Sequence, residues 1–152
     1  MFRFIAFFVL LLSLPLTLIE GRCIDFEKLS AENIKIYFSE DIEMENLQTF
    51  KNGVGCYIVV NRNSANKFIG EECLDGITFE SKLSAEDILK NLNAKIVSVQ
   101  DIQINKENKT IFYAFSNYFS KFLIINGKKV NLQIVCENEN CLVGHPLLMG
   151  SY

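Results

Sequence analysis

The sequence predicts an α+β domain, a helix packed across a curved antiparallel sheet, following an N-terminal signal peptide. Three observations carry this. Lys121 to Tyr152 holds two apolar runs around Asn126-Gly127 and a third after a turn at Glu137 to Asn140, the pattern of a three-strand meander. Ser84 to Leu92 reads as a capped amphipathic helix. From Ile77 the order is strand, helix, then four or five strands on short loops. Such strands are antiparallel neighbours, and the helix is the available cover.

The chain opens on M-F-R-F-I-A-F-F-V-L-L-L-S-L-P-L-T-L-I-E-G-R. Arg3 supplies a positive start, Phe4 to Leu14 an apolar stretch, and Pro15 an interruption, the layout of a secretory signal peptide. Cleavage is expected after Gly21. The apolar run to Ile19 falls short of the roughly 20 residues of a spanning helix, so an uncleaved anchor is the alternative. That segment is the only expected attachment to a membrane. Cys23 follows Arg22, and lipidation would want a small residue there. The expected layout is a signal peptide over 1–21 and a single α+β domain over 22–152. Within it, 22–75 is less sharply marked than the strand–helix–strands unit over 76–152. The expected location is extracytoplasmic, secreted or membrane-associated.

In the mature part, Leu29 to Ile34 reads as a short turn leading into a strand, with Ile34, Ile36 and Phe38 alternating. Glu40 to Asn52 has Met44, Leu47 and Phe50 at helical spacing, with Gly53 beyond. Gly55 to Val60 is a strand. Ser64 is expected to cap a helix over Ala65 to Cys73. Asp75-Gly76 reads as a turn before a strand over Ile77 to Lys82. Ser84 is the N-cap of the next helix, Asp87 stands at N3, and Leu83 with Ile88 makes a hydrophobic staple. Its stripe of Ile88, Leu89 and Leu92 would contribute ~1.5–3 kcal/mol per residue on burial. Asn93 is a left-handed stop. Strands follow at Ala94–Ile102, Thr110–Phe115, Phe122–Ile125, Val130–Cys136 and Cys141–Leu148. L-S-A-E-N-I at 29–34 echoes L-S-A-E-D-I at 83–88. A duplicated unit or a common helix-start phrase would each explain it.

The five cysteines are Cys23, Cys56, Cys73, Cys136 and Cys141. Export permits disulfides, and an odd number leaves one over. Cys136 and Cys141, facing each other across the last turn, are the favoured pair. Cys56 and Cys73 would then pair, unless Cys56 is a buried strand thiol. There is no C-x2-C, and His145 lacks partner spacing, so no metal site and no cofactor are expected.

Tyr113-Ala114-Phe115-Ser116, Val130-Asn131-Leu132-Gln133-Ile134, Gly144, Pro146 and Gly150-Ser151-Tyr152 carry a resemblance. Over roughly 85–152 the chain resembles the YwmB-type exported proteins of low-GC Gram-positive bacteria. The resemblance implies a TATA-binding-protein-like fold and no assigned activity, so it transfers no functional residues. DNA binding does not follow from the name of a fold. The net charge of −3 argues against a nucleic-acid partner, and only Lys128-Lys129 forms a local basic patch.

No catalytic motif is present. His145 and Cys141 are four residues apart on one strand, too far for a nucleophile–base pair. Asp101, Glu80, Glu86 and Asp87 read as isolated or capping acids rather than a glycosidase pair. Tyr113 and Tyr118, within the aromatic cluster of Tyr113, Phe115, Tyr118 and Phe119, are the candidate binding residues if they lie on the open sheet face. The expectation is a non-enzymatic exported module that binds a protein or envelope component. The alternative is a secreted inhibitor or small-ligand carrier with a cystatin-like layout, though no Q-x-V-x-G loop is present.

Overall fold

The computed structural model describes residues 23–40, 47–51, 55–69, 74–104 and 106–148. The expected signal segment lies outside them. Ten strands are present among these residues: β1 Glu32–Phe38, β2 Thr49–Lys51, β3 Cys56–Val60, β4 Leu74–Ser81, β5 Ala94–Ile104, β6 Glu107–Ser116, β7 Leu123–Ile125, β8 Lys128–Val130, β9 Leu132–Glu137 and β10 Asn140–His145. Two helices accompany them, α1 Arg62–Ala65 and α2 Ala85–Asn91. Eight strands form one antiparallel sheet in the order β2-β3-β1-β4-β10-β9-β6-β5, and β7-β8 is a separate two-stranded ribbon.

This corrects the α+β expectation of a helix laid across the sheet. The helix α2 forms as expected. Ser84 Oγ accepts from Asp87 N, Asn93 takes a φ of 45°, and Ile88, Leu89 and Leu92 are buried. But α2 has seven residues, an axis of about 10 Å. Eight strands spaced about 4.8 Å span more than 30 Å. One such helix cannot cover that width. The rest of the cover is mostly irregular chain: Ile24, Phe26, Leu29 and Ala31 before β1, Phe68 after α1, and Phe119, with Ala65 from the one-turn α1. The Phe26 ring meets Phe79 edge to face at 5.7 Å. The protein is therefore a mainly β protein, and the TATA-binding-protein-like arrangement is not found. The cystatin-like layout rests on the same helix-across-sheet arrangement.

Alternation explains the core face. Ile34, Ile36 and Phe38 of β1, Cys56 and Ile58 of β3, Phe79 of β4, Val143 of β10 and Ile134 of β9 all point to it. The opposite, second face carries Lys35, Tyr37, Tyr57, Thr78, Gln133 and Tyr113 by the same registers.

Several local expectations change. Phe50 lies in β2, paired opposite Tyr57, so the helix expected over 40–52 is not there at 49–51. Residues 41–46 and 52–54 lie outside the described set. Helix α1 is capped by Asn61, whose Oδ1 accepts from Ser64 N at 3.0 Å, and it ends at Ala65. Asp75-Gly76 is not a turn. Tyr37 pairs with Gly76 and Phe38 with Leu74, so Asp75 is the extra residue of a bulge within β4. The echo also splits. Ser30 takes a φ of 49° ahead of a strand, whereas Ser84, at φ −62°, caps a helix. The same four letters obey different surroundings.

The meander is also redrawn. Asn126 and Gly127 take φ of 50° and 74°, as a type I′ turn requires, and close the β7-β8 hairpin. That hairpin leaves the main sheet, because the expected strand over Val130–Cys136 breaks at Asn131. β9 then pairs directly with β6 and β10.

Candidate functional site

The break at Asn131 is a built feature. The residue is fully buried. Its Oδ1 accepts from Ser116 N at 2.8 Å, and its Nδ2 donates to Ser116 O at 2.7 Å and Phe119 O at 3.1 Å. Its own N donates to Ala114 O at 3.0 Å. The carboxamide thus stands in for the next peptide of β9 and continues the ladder with β6, while the main chain leaves towards β8. Ser116 Oγ donates to Leu92 O at 2.6 Å, tying α2 to the same node.

His145 completes it. Nδ1 lies 2.7 Å from Asn131 O, and since a carbonyl only accepts, Nδ1 carries the proton. The ring stacks on Phe119. Burial pushes the imidazole pKa down to about 4, against the raising effect of the Asn131 bond, and the Lys121 charge lowers it further. Its strand neighbour Cys141 offers it no free thiol. Cys141 is joined to Cys136 in a disulfide with Cα atoms 4.1 Å apart, at directly opposed positions of β9 and β10. His145 is a structural donor here.

Cys56 is buried, with Sγ 3.2 Å from Glu40 O. Cys73, its expected partner, lies outside the described residues. Cys23 is exposed.

The structure does not gather Tyr113 and Tyr118 on one surface. Tyr113 stands on the second face, opposite Ser98 and Gln133. Tyr118 packs against the core cluster. A different aromatic set comes together on the second face. Phe50, Tyr57 and Tyr37 are directly opposed on β2, β3 and β1. Phe50 and Tyr57 stack at 5.1 Å with planes 17° apart, and Tyr37 follows at 5.3 Å. Lys35 Nζ sits 5.6 Å over the Tyr57 ring, and Val59 beside it is exposed. The sequence hides this row because the spacing of Phe50 from Leu47 and Met44 is helical. The signal available was the alternation of Tyr37 with Phe38 and of Tyr57 with Ile58.

The acids behave as separate groups. Asp101 accepts from Thr110 Oγ1, Glu80 from Asn33 Nδ2 and Asp87 from Ser84 Oγ. The pair that does meet is Glu107 and Glu137, at the ends of β6 and β9. A hydrogen bond between them, then their mutual repulsion, raises the Glu107 pKa. Glu137 is held low, first by that bond and then by Lys109, at 3.0 Å. Among the described residues no group of three or more His, Cys, Asp or Glu is placed to hold a metal. An open groove of about 560 Å³ runs beside the disulfide, between Leu83, Ser84, Phe112 and Asn138.

No family model, no curated protein and no solved structure matches this chain.

Proposed function

We propose that the chain is a non-enzymatic, exported binding module of the cell envelope, acting outside the cytoplasmic membrane. It engages a protein or envelope component through the second face of its sheet. The observation that carries this reading is the Phe50–Tyr57–Tyr37 row, three aromatic side chains in register on adjacent strands, flanked by Lys35 and the exposed Val59. Phe50 and Tyr57 are half-buried and present ring surface, while buried Tyr37 backs them from below. Such rigid aromatic side chains offer large contact area at low entropic cost, as binding hot spots do. The signal-like N-terminus and the Cys136–Cys141 disulfide support an oxidising location. The test is crosslinking in the envelope from a photoreactive group at Val59. A specific adduct lost in Tyr57→Ala, with unchanged thermal stability, supports the reading. Hydrolytic activity abolished by His145→Ala would overturn it.

A further inference from the structure

Three of the exposed large apolar side chains stand together at the other end of the sheet. Phe122, Leu123 and Ile124 are consecutive on and beside the β7-β8 ribbon, at 42%, 43% and 60% exposure. β8 packs against β5, whose exposed Ile96 and Val99 belong by register to the sheet face opposite Phe115. The ribbon is rooted by Val130, which is fully buried, and by the Phe122 ring edge-to-face with Phe115 at 6.5 Å.

The segment that forms it carries charge of one sign. The chain has 18 acidic residues, yet none lies between Thr110 and Cys136, where Lys121, Lys128 and Lys129 all fall. Lys128 and Lys129 are exposed and stand opposite Ile125 and Ile124 across the ribbon. Lys129 Nζ lies 4.5 Å over the Phe122 ring, so cation and apolar surface are one patch.

We propose that the β7-β8 ribbon is a membrane-docking hairpin. Phe122, Leu123 and Ile124 enter the interfacial zone of an anionic phospholipid bilayer, and Lys128 and Lys129 meet its headgroups. A ribbon that exposes apolar side chains together with two lysines matches such a bilayer. Lysine stems lie along apolar surface while their ammonium groups stay at the headgroup level. A second copy in the same site would set lysines against lysines, with no acid in the segment to answer them. Its strands are three residues each, far short of the roughly 9–11 of a membrane-spanning strand, so the ribbon docks rather than spans. This goes beyond the partner-binding reading and does not depend on it, because the aromatic row is at the opposite end of the strand order.

The chain has no tryptophan, so Ile124→Trp in the full chain gives a single reporter at an exposed position. With phosphatidylglycerol-containing vesicles its emission shifts to the blue and is quenched by brominated acyl chains. Binding is about tenfold or more weaker on pure phosphatidylcholine vesicles, and falls similarly when Lys128→Glu and Lys129→Glu are added. A Val59→Trp reporter stays unshifted. Unchanged emission of the Ile124→Trp protein overturns the proposal. So does equal partition into neutral vesicles, or indifference to the charge reversals. Equal shifts from both reporters would place the contact in the apolar N-terminal run. A shift in buffer alone that grows with protein concentration would make a second copy the occupant.

Discussion

The imidazole of His145 stacks on Phe119 with ring centroids 3.9 Å apart and planes 11° apart, while its Nδ1 donates to Asn131 O. Folding therefore holds this histidine neutral, with a pKa of about 4 against an ordinary value of 6.5. Between those values the unfolded chain binds the extra proton and the folded one does not. Stability from this group is present above pH 6.5, is lost as pH falls through the window, and changes no further below it. Denaturant titrations across the window should show the native protein losing up to about 3 kcal/mol more than His145→Gln. Parallel profiles would mean that the folded site accepts the proton without cost.

Asn131→Ala removes the acceptor for one buried N–H and the donors to two buried carbonyls. Each orphaned group costs on the order of 1–3 kcal/mol, so a loss of about 3 kcal/mol or more is expected in urea unfolding. Ser84→Ala, which removes the exposed cap bond and the donation to the Asp87 carboxylate, should cost only about 1 kcal/mol. Equal losses would contradict the peptide-surrogate role of Asn131.

Intact mass with thiol alkylation reads the disulfide directly. Cys136 and Cys141 should stay unlabelled until reduction and label afterwards. Replacing both by Ser should cost no more than about 2 kcal/mol, because the loop between them is short. The fold should persist, since β9 and β10 are each paired on both sides.

Gly144 faces the segment that follows β10. A Cβ there would meet Leu148 N at 2.6 Å and Leu147 C at 2.7 Å, both backbone. Gly144→Ala should lift residues 146–148 off the sheet and break the Leu148 N to Gln133 Oε1 bond. Limited proteolysis should then cut near Leu147 in the variant and spare the native chain.

Local signals in the sequence were legible where a single residue decides the geometry. Ser84 at its cap, Asn93 at its stop, Asn126-Gly127 in their turn and the paired Cys136 and Cys141 all act within a few residues of themselves. What was not legible depended on distant partners. Phe50 has helical spacing to Leu47, yet pairing with Tyr57 makes it a strand residue. Asp75-Gly76 has turn chemistry, but β1 on one side makes it a bulge. Asn131 looks like any polar position in a strand. Only its contacts with Ser116 and Phe119 show why the ribbon separates, and hence where the apolar patch stands. The width of the sheet, which decides fold class, is set by β4 lying beside β10, a pairing no local pattern announces.

That pairing fixes an order of events. β2-β3-β1-β4 and β9-β6-β5 are each contiguous in the sheet, and β10, the last strand in sequence among those described, is the element between them. A chain emerging N-terminus first, from a ribosome or a secretion channel, presents two half-sheets with open edges at β4 and β9 until residues 140–145 arrive. Joining of the two half-sheets therefore waits for residues 140–145. A nascent chain halted before Asn140 would keep both edges open and adhesive, and one short strand then bridges them into a continuous sheet.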